Sequence, residues 1–258
     1  MTALTRAALL VTLLSGSLAA QGTDSLPPRP ASTPDPRAWV GERLEYEART
    51  GVFPLGTAEL FVAGVDTIRG DSALHIRFLI KGGNTLYRIN NKWDSWVGLE
   101  DFTSRRFIQD HEEGGRKSRS DYEIFPDSGY YRREGVDTVM ATSALPLDDA
   151  AFFYFVRLVE LAAGRNEFDR YFKPDRNPVV LEVVGRDTLD VPAGRFDCLI
   201  VQPIIKGGGI FRENAEGRMW ITNDSRRLVV QIRSKISIIP ITMRLRKITP
   251  GRPGGDPR

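Results

Sequence analysis

Alternation of apolar and polar residues runs through most of this sequence and constrains the fold more than any other feature. In ALHIRFLI (residues 73–80) every second residue from Leu74 onward is apolar, and ERLEYEART (residues 42–50) alternates in the same way. Successive side chains of a β-strand point to opposite faces, so this period is typical of half-buried antiparallel strands. Turn-forming residues such as Arg69-Gly70-Asp71 separate the alternating stretches. The sequence predicts about a dozen strands, most of them joined as hairpins.

One segment breaks the alternation. LPLDDAAFFYFVRLVELAAGRN (residues 145–166) contains a run of helix formers between Asp148, a suitable N-cap, and Gly164, a suitable stop. The pattern predicts one α-helix over about 148–163. Residues 152–156 are apolar nearly all round, which is typical of a buried helix. We expect this helix to cover or plug the concave face of a curved sheet.

The N-terminus has the three parts of a secretory signal peptide. Arg6 precedes an apolar run over residues 7–14, and small residues follow up to Ala20. The apolar run is much shorter than the roughly 20 residues of a membrane span. We expect cleavage after Ala19 (segment 1–19) or Ala20 (segment 1–20), with no transmembrane anchor afterwards. Since no cysteine lies near the cleavage site, the expected product is an exported, soluble periplasmic or extracellular protein and not a lipoprotein.

Proline content divides the rest of the chain. Residues 20–38 form a proline-rich linker, residues 39–248 form one β-rich domain, and residues 249–258 resemble a disordered tail. The formal net charge is only +3. Nucleic-acid binding would need a clustered basic stripe, so no nucleic-acid partner is predicted. Arg226-Arg227 and the cations of residues 244–247 are interpreted as solvated strand faces, with an anionic partner as the alternative.

Residues suited to catalysis or metal binding are few. The two histidines, His75 and His111, belong to no metal-binding motif and are interpreted as surface residues. Cys198 is the single cysteine, so it forms no intramolecular disulfide, and its strand pattern indicates burial without reactivity. Asp148-Asp149 are interpreted as structural acids at the helix start. The sequence predicts no catalytic residue, no metal site and no cofactor.

Two short motifs resemble functional sites but are better explained as turns. GDSA (residues 70–73) resembles the nucleophile block of GDSL-type hydrolases, yet no histidine follows His111. KGGGIFRENAEGRMW (residues 206–220) lacks the Lys and Ser or Thr that follow the last glycine of a phosphate-binding loop. We interpret Gly207-Gly208-Gly209 as a bend or bulge that ends one strand.

Bulky aromatic residues are the best argument for a binding site. Most such residues simply fill a core, but a curved sheet with an aromatic interior and one helix can also enclose a ligand. The residues expected to line such a cavity are Trp93, Trp96, Phe152, Phe155 and Trp220.

Several blocks together resemble a bacterial exported family called domain of unknown function 3108. They include YRINNKWDSW, LDDAAFFYFVRLVEL, VPAGRFDCLIVQP and RMWITND, and the similarity covers about residues 40–248. The family often has proline after the WITND block, where this chain has Leu228-Val229. The resemblance implies a β-rich curved sheet similar to the incomplete barrels of periplasmic lipoprotein carriers. It implies no activity and no catalytic residues.

Three functional hypotheses follow from these observations. The first is a non-catalytic binding or carrier-like module for a lipid-like or other apolar ligand, with a cavity of several hundred Å³. The second is a structural or protein-interaction component of the cell envelope, with an envelope protein as partner. The third is an enzyme that lacks any recognisable motif.

Overall fold

The computed structural model describes residues 34–84, 87–207, 217–236 and 239–252. The predicted signal peptide and most of the predicted triple-glycine bend lie outside these ranges. Gly207, the first glycine of that bend, is described and has a φ of 87°. This left-handed conformation favours glycine.

The described residues form 14 strands and one α-helix, α1 (Phe152–Leu158). The strands are β1 (Arg43–Thr50), β2 (Phe53–Ile68), β3 (Asp71–Gly83), β4 (Arg88–Gly98), β5 (Ser104–Glu113), β6 (Arg116–Phe125), β7 (Tyr130–Arg133), β8 (Met140–Ala141), β9 (Gly164–Phe168), β10 (Val179–Val191), β11 (Gly194–Ile204), β12 (Arg218–Thr222), β13 (Val229–Ile236) and β14 (Ile239–Thr249). They make one open antiparallel sheet, so the predicted mainly-β, unclosed architecture is confirmed.

Pairing between the first and last strands organises the sheet. The strand order is β8-β7-β6-β5-β4-β3-β2-β1-β14-β13-β12-β11-β10-β9. Leu44 of β1 pairs with Ile248 of β14, and every other pair joins strands consecutive in sequence. The two ends of the domain therefore meet in the middle of the sheet, and β8 and β9 form its edges. Residues 142–163 connect these edges and carry α1.

One face of the sheet carries the main core. We call it the inner face, defined by Tyr46, Phe78 and Trp93, and the opposite side is the outer face. Directly paired residues of antiparallel strands share a face. Leu60 of β2 pairs with Phe78, which pairs with Trp93, so these side chains line the inner face together. Residues 152–156 of α1 belong to the same core, and Arg157 is buried beside it.

The helix is shorter than the predicted 148–163. Asp148 does provide a cap, because its Oδ1 accepts hydrogen bonds from the backbone nitrogens of Ala150 (2.9 Å) and Ala151 (3.0 Å). Regular helix begins only at Phe152, and Val159 is already extended. The Val159 carbonyl instead accepts a hydrogen bond from Arg227 at 2.6 Å. Gly164 begins β9 and does not end the helix.

A buried ion pair fixes the C-terminal end of α1. Arg157 donates to both carboxylate oxygens of Glu42, at 2.5 and 3.0 Å. Its Nε donates to the Arg226 carbonyl at 3.0 Å, and its guanidinium lies 4.6 Å from the Trp39 ring. Since both charged side chains are buried, these contacts compensate for their lost hydration.

The folded part extends slightly beyond residues 39–248. A short 3₁₀-helix covers Pro36–Trp39, and β14 continues to Thr249. The Arg252 backbone nitrogen donates to the Val40 carbonyl at 2.9 Å. The first residues of the expected tail are therefore tied to the start of the domain.

We predict that Arg157→Met lowers the free energy of unfolding by about 3–5 kcal/mol, because it leaves Glu42 buried without its cation. Urea unfolding measures this loss. The exposed pair Arg165–Glu167 supplies a control, since Arg165→Met should cost no more than about 1 kcal/mol. The double variant Arg157→Met/Glu42→Gln should recover part of the loss. Equal effects of the two single variants would contradict the prediction.

Candidate ligand-binding site

A cavity of about 180 Å³ lies on the inner face of the sheet. Four parts of the chain enclose it: strands β3 to β5, the start of α1 with the turn before it, the connection between β9 and β10, and the residue after β11. The lining residues are Phe78, Trp93, Gln109, His111, Asp149, Ala150, Phe152, Phe153, Tyr171, Phe172, Lys173, Arg176 and Ile205.

Aromatic rings form the apolar wall of the cavity. The ring centroids of Phe78 and Trp93 are 5.3 Å apart, and those of Phe78 and Phe153 are 5.0 Å apart. Phe152 stacks on Tyr171 at 6.1 Å. Aromatic pairs have preferred geometries and stabilise a fold beyond the effect of their buried area, so these contacts hold the rings in fixed orientations. The wall is therefore preformed and suited to an apolar group.

Asp149 organises the polar wall. Its Oδ1 accepts a hydrogen bond from the Tyr171 hydroxyl at 3.0 Å, and its Oδ2 accepts one from Gln109 at 3.3 Å. Burial raises the pKa of the Asp149 carboxyl, and the positive charge of Arg176 opposes this rise. Arg176 also donates to the Tyr171 hydroxyl. A carboxylate, a phenol and a guanidinium thus form one connected group.

His111 and Lys173 add further polar atoms to this wall. The His111 Nε2 is buried and has no hydrogen-bond partner among the described residues. Its ring packs edge-on against Trp93 at 5.0 Å. Lys173 donates to the Tyr122 hydroxyl at 3.2 Å. A buried polar atom without a partner costs free energy, so a ligand that satisfies His111 gains affinity there.

The neighbouring Asp148 holds the turn before α1 against the sheet. Its Oδ2 accepts hydrogen bonds from the hydroxyls of Ser95 (2.5 Å) and Ser104 (2.7 Å). Ser95 lies two residues after Trp93 on β4, and Ser104 begins β5. Burial raises the pKa of Asp148 to about 6, although these hydroxyls act to lower it. This polar contact positions Asp149, the next residue, at the cavity.

The five residues expected to line a cavity are divided by the structure. Trp93 and Phe152 line it. Phe155 lies behind Phe152, with ring centroids 5.8 Å apart, and also packs against Phe168. Trp96 is three residues from Trp93 and therefore faces the outer side, where it stacks on His75 at 4.4 Å.

Trp220 also lies on the outer face. It pairs with Gln231, Gln231 pairs with Arg244, and Arg244 pairs with Glu47, which is the outward neighbour of Tyr46. Although buried, it is covered by local contacts: its Nε1 lies 3.2 Å from an Asp187 oxygen, and Arg233 lies over its ring. Neither Trp96 nor Trp220 lines this cavity.

The two histidines occupy different environments. His75 does lie on the outer face, but its side chain is only 12% exposed, and its Nε2 is 2.8 Å from Asp94 Oδ1. Hydrogen bonds from His75, Arg77 and Lys92 outweigh the effect of burial and keep the pKa of Asp94 well below its usual range. His111 is half-buried and borders open surface clefts, and it also lines the inner-face cavity, which its interpretation as a surface residue did not include.

Cys198 is buried, as predicted. Burial raises the pKa of its thiol to about 12, with Asp197 contributing in the same direction. The thiolate is the nucleophilic form, so burial disfavours the reactive state of Cys198.

Sequence reasoning missed most of the polar wall. Gln109 and His111 lie two and four residues after Phe107 on β5 and share its face, so correct pairing of β5 with β4 would have placed them on the inner face beside Trp93. Tyr171, Lys173 and Arg176 lie in an irregular connection whose position no alternation pattern indicates. Asp149 was interpreted only as a helix-start acid.

Neither a metal centre nor a membrane-spanning helix is evident within the described residues. No group of three or more His, Cys, Asp or Glu side chains there is arranged to hold a metal ion. No helix in those ranges is long and apolar enough to cross a membrane.

Comparisons with known proteins identify a family but no activity. The sequence profile of the family described as "Protein of unknown function (DUF3108)" matches residues 45–246. No curated protein matches the sequence.

Two solved structures resemble the fold at low similarity. One is a β-barrel-like protein of domain of unknown function DUF1849 from Brucella abortus, with 10% identity and a TM-score of 0.48, over 81% of this chain and 97% of that one. The other is a Parabacteroides distasonis protein named provisionally as a lipoprotein, with 10% identity and a TM-score of 0.37, over 82% and 96% of the two chains. Neither likeness carries a functional argument.

We predict that Asp148→Asn changes how stability depends on pH. The pKa of Asp148 is raised from 3.8 to about 6 in the folded state, so the folded protein binds this proton more tightly than the unfolded chain. As the pH rises from about 4 to about 6, the free energy of unfolding of the wild type should fall by about 3 kcal/mol relative to that of the variant. Urea unfolding across this range measures the difference. A stability difference between the two proteins that stays constant over this pH range would disprove the assignment.

Proposed function

This chain belongs to the DUF3108 family of proteins of unknown function, and we propose that it is a non-catalytic binding or carrier-like module for a lipid-like or other amphipathic ligand. The apolar end of the ligand occupies the inner-face cavity. The observation that carries this proposal is the aromatic wall of Phe78, Trp93 and Phe152 facing a set of convergent polar groups. Ligand sites commonly combine mostly apolar walls with a few well-placed polar groups.

The size of the cavity limits what it holds. At about 180 Å³ it is smaller than the several hundred Å³ expected from the sequence. An apolar cavity of about 150 Å³ holds a benzene molecule, whereas complete drug-sized ligands occupy roughly 300–1,000 Å³. The bound part is therefore one ring or the end of an acyl chain, and the remainder of the ligand lies outside.

The polar wall selects an amphipathic ligand over a pure hydrocarbon. A hydrocarbon would leave His111 Nε2 without a partner and would bury Asp149 further, both at a cost in free energy. Lys173 and Arg176 line the same cavity and can pair with a carboxylate or phosphate. The expected ligand carries an acidic or hydrogen-bonding group next to its apolar end.

The proposed location is the periplasm or the exterior of the cell. It is supported by the N-terminal pattern of Arg6, an apolar run and small residues. Cell-envelope lipids are available there as ligands. Mass spectrometry of the N-terminus of the protein purified from its own cells tests export, and an intact Met1 or loss of Met1 alone would contradict it.

We predict that filling the cavity weakens ligand binding. Ala150 lines the cavity and is buried, so Ala150→Leu places three additional carbon atoms in the space that the ligand occupies. Titration calorimetry with octanoate should show affinity at least tenfold weaker than for wild type, because an occupied cavity leaves the apolar end exposed to water.

The control for this titration is Ala141→Leu, which makes the same change at an exposed position of β8. It should bind octanoate as the wild type does, and thermal unfolding checks that both variants are folded. Lys173→Met tests the polar wall, and it should weaken the binding of octanoate more than the binding of neutral octanol. If wild type binds neither compound, or if Ala150→Leu binds both unchanged, the cavity is not the ligand site.

One observation favours an enzyme as the second candidate. Asp149 has a raised pKa and shares the cavity with His111 and Tyr171, and perturbed acids beside a histidine are typical of proton-transfer sites. The two candidates differ in the fate of the ligand. Native mass spectrometry of the carrier should recover the endogenous ligand unchanged after long incubation. Chemical conversion that Asp149→Asn abolishes without loss of binding would establish the enzyme instead.

A further inference from the structure

Seven strand connections face one end of the sheet, and four of them are neighbours in the strand order between β6 and β13. In an antiparallel meander, alternate turns fall at the same end. The β1–β2, β3–β4 and β5–β6 turns therefore share one end, and the β13–β14 turn joins them because β14 pairs with β1. We call this the turn end. The strand ends that face it are marked by the pairs Thr50↔Phe53, Gly83↔Arg88 and Glu113↔Arg116.

Apolar side chains protrude from two of these turns. Val52 and Phe53, in the β1–β2 hairpin, are 74% and 69% exposed, and Tyr87, beside β4, is 50% exposed. Val52 and Phe53 are the two most exposed large hydrophobic residues in the described ranges. Exposure of an apolar side chain to water is unfavourable. The clustering of such side chains at one end therefore indicates an interaction surface.

Exposed cations surround these apolar tips. The basic residues on the described strand ends are Lys81, Arg88, Arg116, Lys117 and Lys235, all exposed. The acids nearby are Glu112, which lies 3.8 Å from Lys117, and Glu113, which accepts a hydrogen bond from Asn91. The turns at the opposite end carry both signs, including Asp71, Glu100, Asp101, Asp127 and Asp224 beside Arg69 and Arg226. The excess of positive charge thus belongs to the turn end.

We propose that the turn end docks on the surface of an anionic phospholipid bilayer. Val52 and Phe53 enter the boundary between headgroups and acyl chains, Tyr87 lies at headgroup depth, and the surrounding Lys and Arg side chains contact the lipid phosphates. Tips on separate hairpins, ringed by cations, suit a deformable anionic surface better than a flat protein patch. Docking of this kind needs no membrane-spanning segment.

The inner-face cavity lies close to the turn end. His111 lines both the inner-face cavity and an open cleft of about 620 Å³ beside Tyr87 and the β5–β6 turn. Arg176 and Ile205 of the cavity wall lie close to the turn-end limits of β10 and β11. Docking therefore brings the cavity next to the bilayer. The docking itself rests on the exposed tips and their charge, independently of whether the cavity holds a ligand.

Vesicle sedimentation tests the proposal. The purified protein should sediment with vesicles made of equal parts phosphatidylglycerol and phosphatidylcholine, and not with phosphatidylcholine alone. Val52→Asp/Phe53→Asp should reduce the partition coefficient at least tenfold. Lys81→Glu/Arg88→Glu/Lys117→Glu should reduce it by more, since each cation near an anionic surface contributes about fivefold. Added salt should weaken wild-type binding because it screens these charges.

Matched substitutions elsewhere serve as controls. Leu145→Asp/Val184→Asp changes two exposed apolar residues away from the turn end, and Arg165→Glu/Arg195→Glu changes exposed cations on β9 and β11. Both controls should sediment as the wild type does, and thermal unfolding should show that all variants are folded. The proposal is overturned if the wild type does not sediment with the anionic vesicles, or if the controls lose as much binding as the tip variants. Self-association that the tip variants abolish, without vesicle binding, would assign the surface to a second copy of the chain.

Discussion

An open sheet of 14 strands cannot bury its apolar face by itself, so the segment that covers this face determines the rest of the structure. That segment, residues 142–163, runs between the two edge strands. Polar contacts hold it at both ends: Asp148 binds Ser95 and Ser104 before the helix, and Arg157 binds Glu42 at its end. Between these points the aromatic residues of α1 have little freedom to shift, and the cavity is the space that their fixed positions leave.

The composition of the cavity wall argues against a simple packing defect. A gap in a well-packed core is lined by apolar atoms and stays dry. Here Asp149, Tyr171 and Arg176 form a connected polar group beside aromatic rings. Burying such groups costs free energy that an apolar core would not spend. Natural sequences depart from good packing mainly at functional sites, and the composition of this wall therefore supports the proposed binding role.

The sequence predicts strands well because alternation is a local property, and ALHIRFLI is an example. It predicts less well which face of the sheet a tryptophan side chain occupies, because the face depends on the register of the strand. Trp96 follows Trp93 by an odd number of residues, and RMWIT contains three consecutive apolar residues, so its buried face cannot be chosen by pattern. A bulge between Trp220 and Ile221 further shifts the pairing. The contact of Asp149 with Tyr171 joins two irregular segments, for which no periodic pattern exists.

Pairing of β1 with β14 also has a consequence for the order in which the protein assembles. Strands β1 to β8 are neighbours in sequence and can pair as they leave the ribosome. One edge of β1 stays open until residues 239–249 arrive, about two hundred residues later. Contacts of such large sequence separation slow folding, and an open strand edge invites pairing with other chains. The charged side chains Glu45, Glu47 and Arg49 on β1 oppose such intermolecular pairing until β14 is in place.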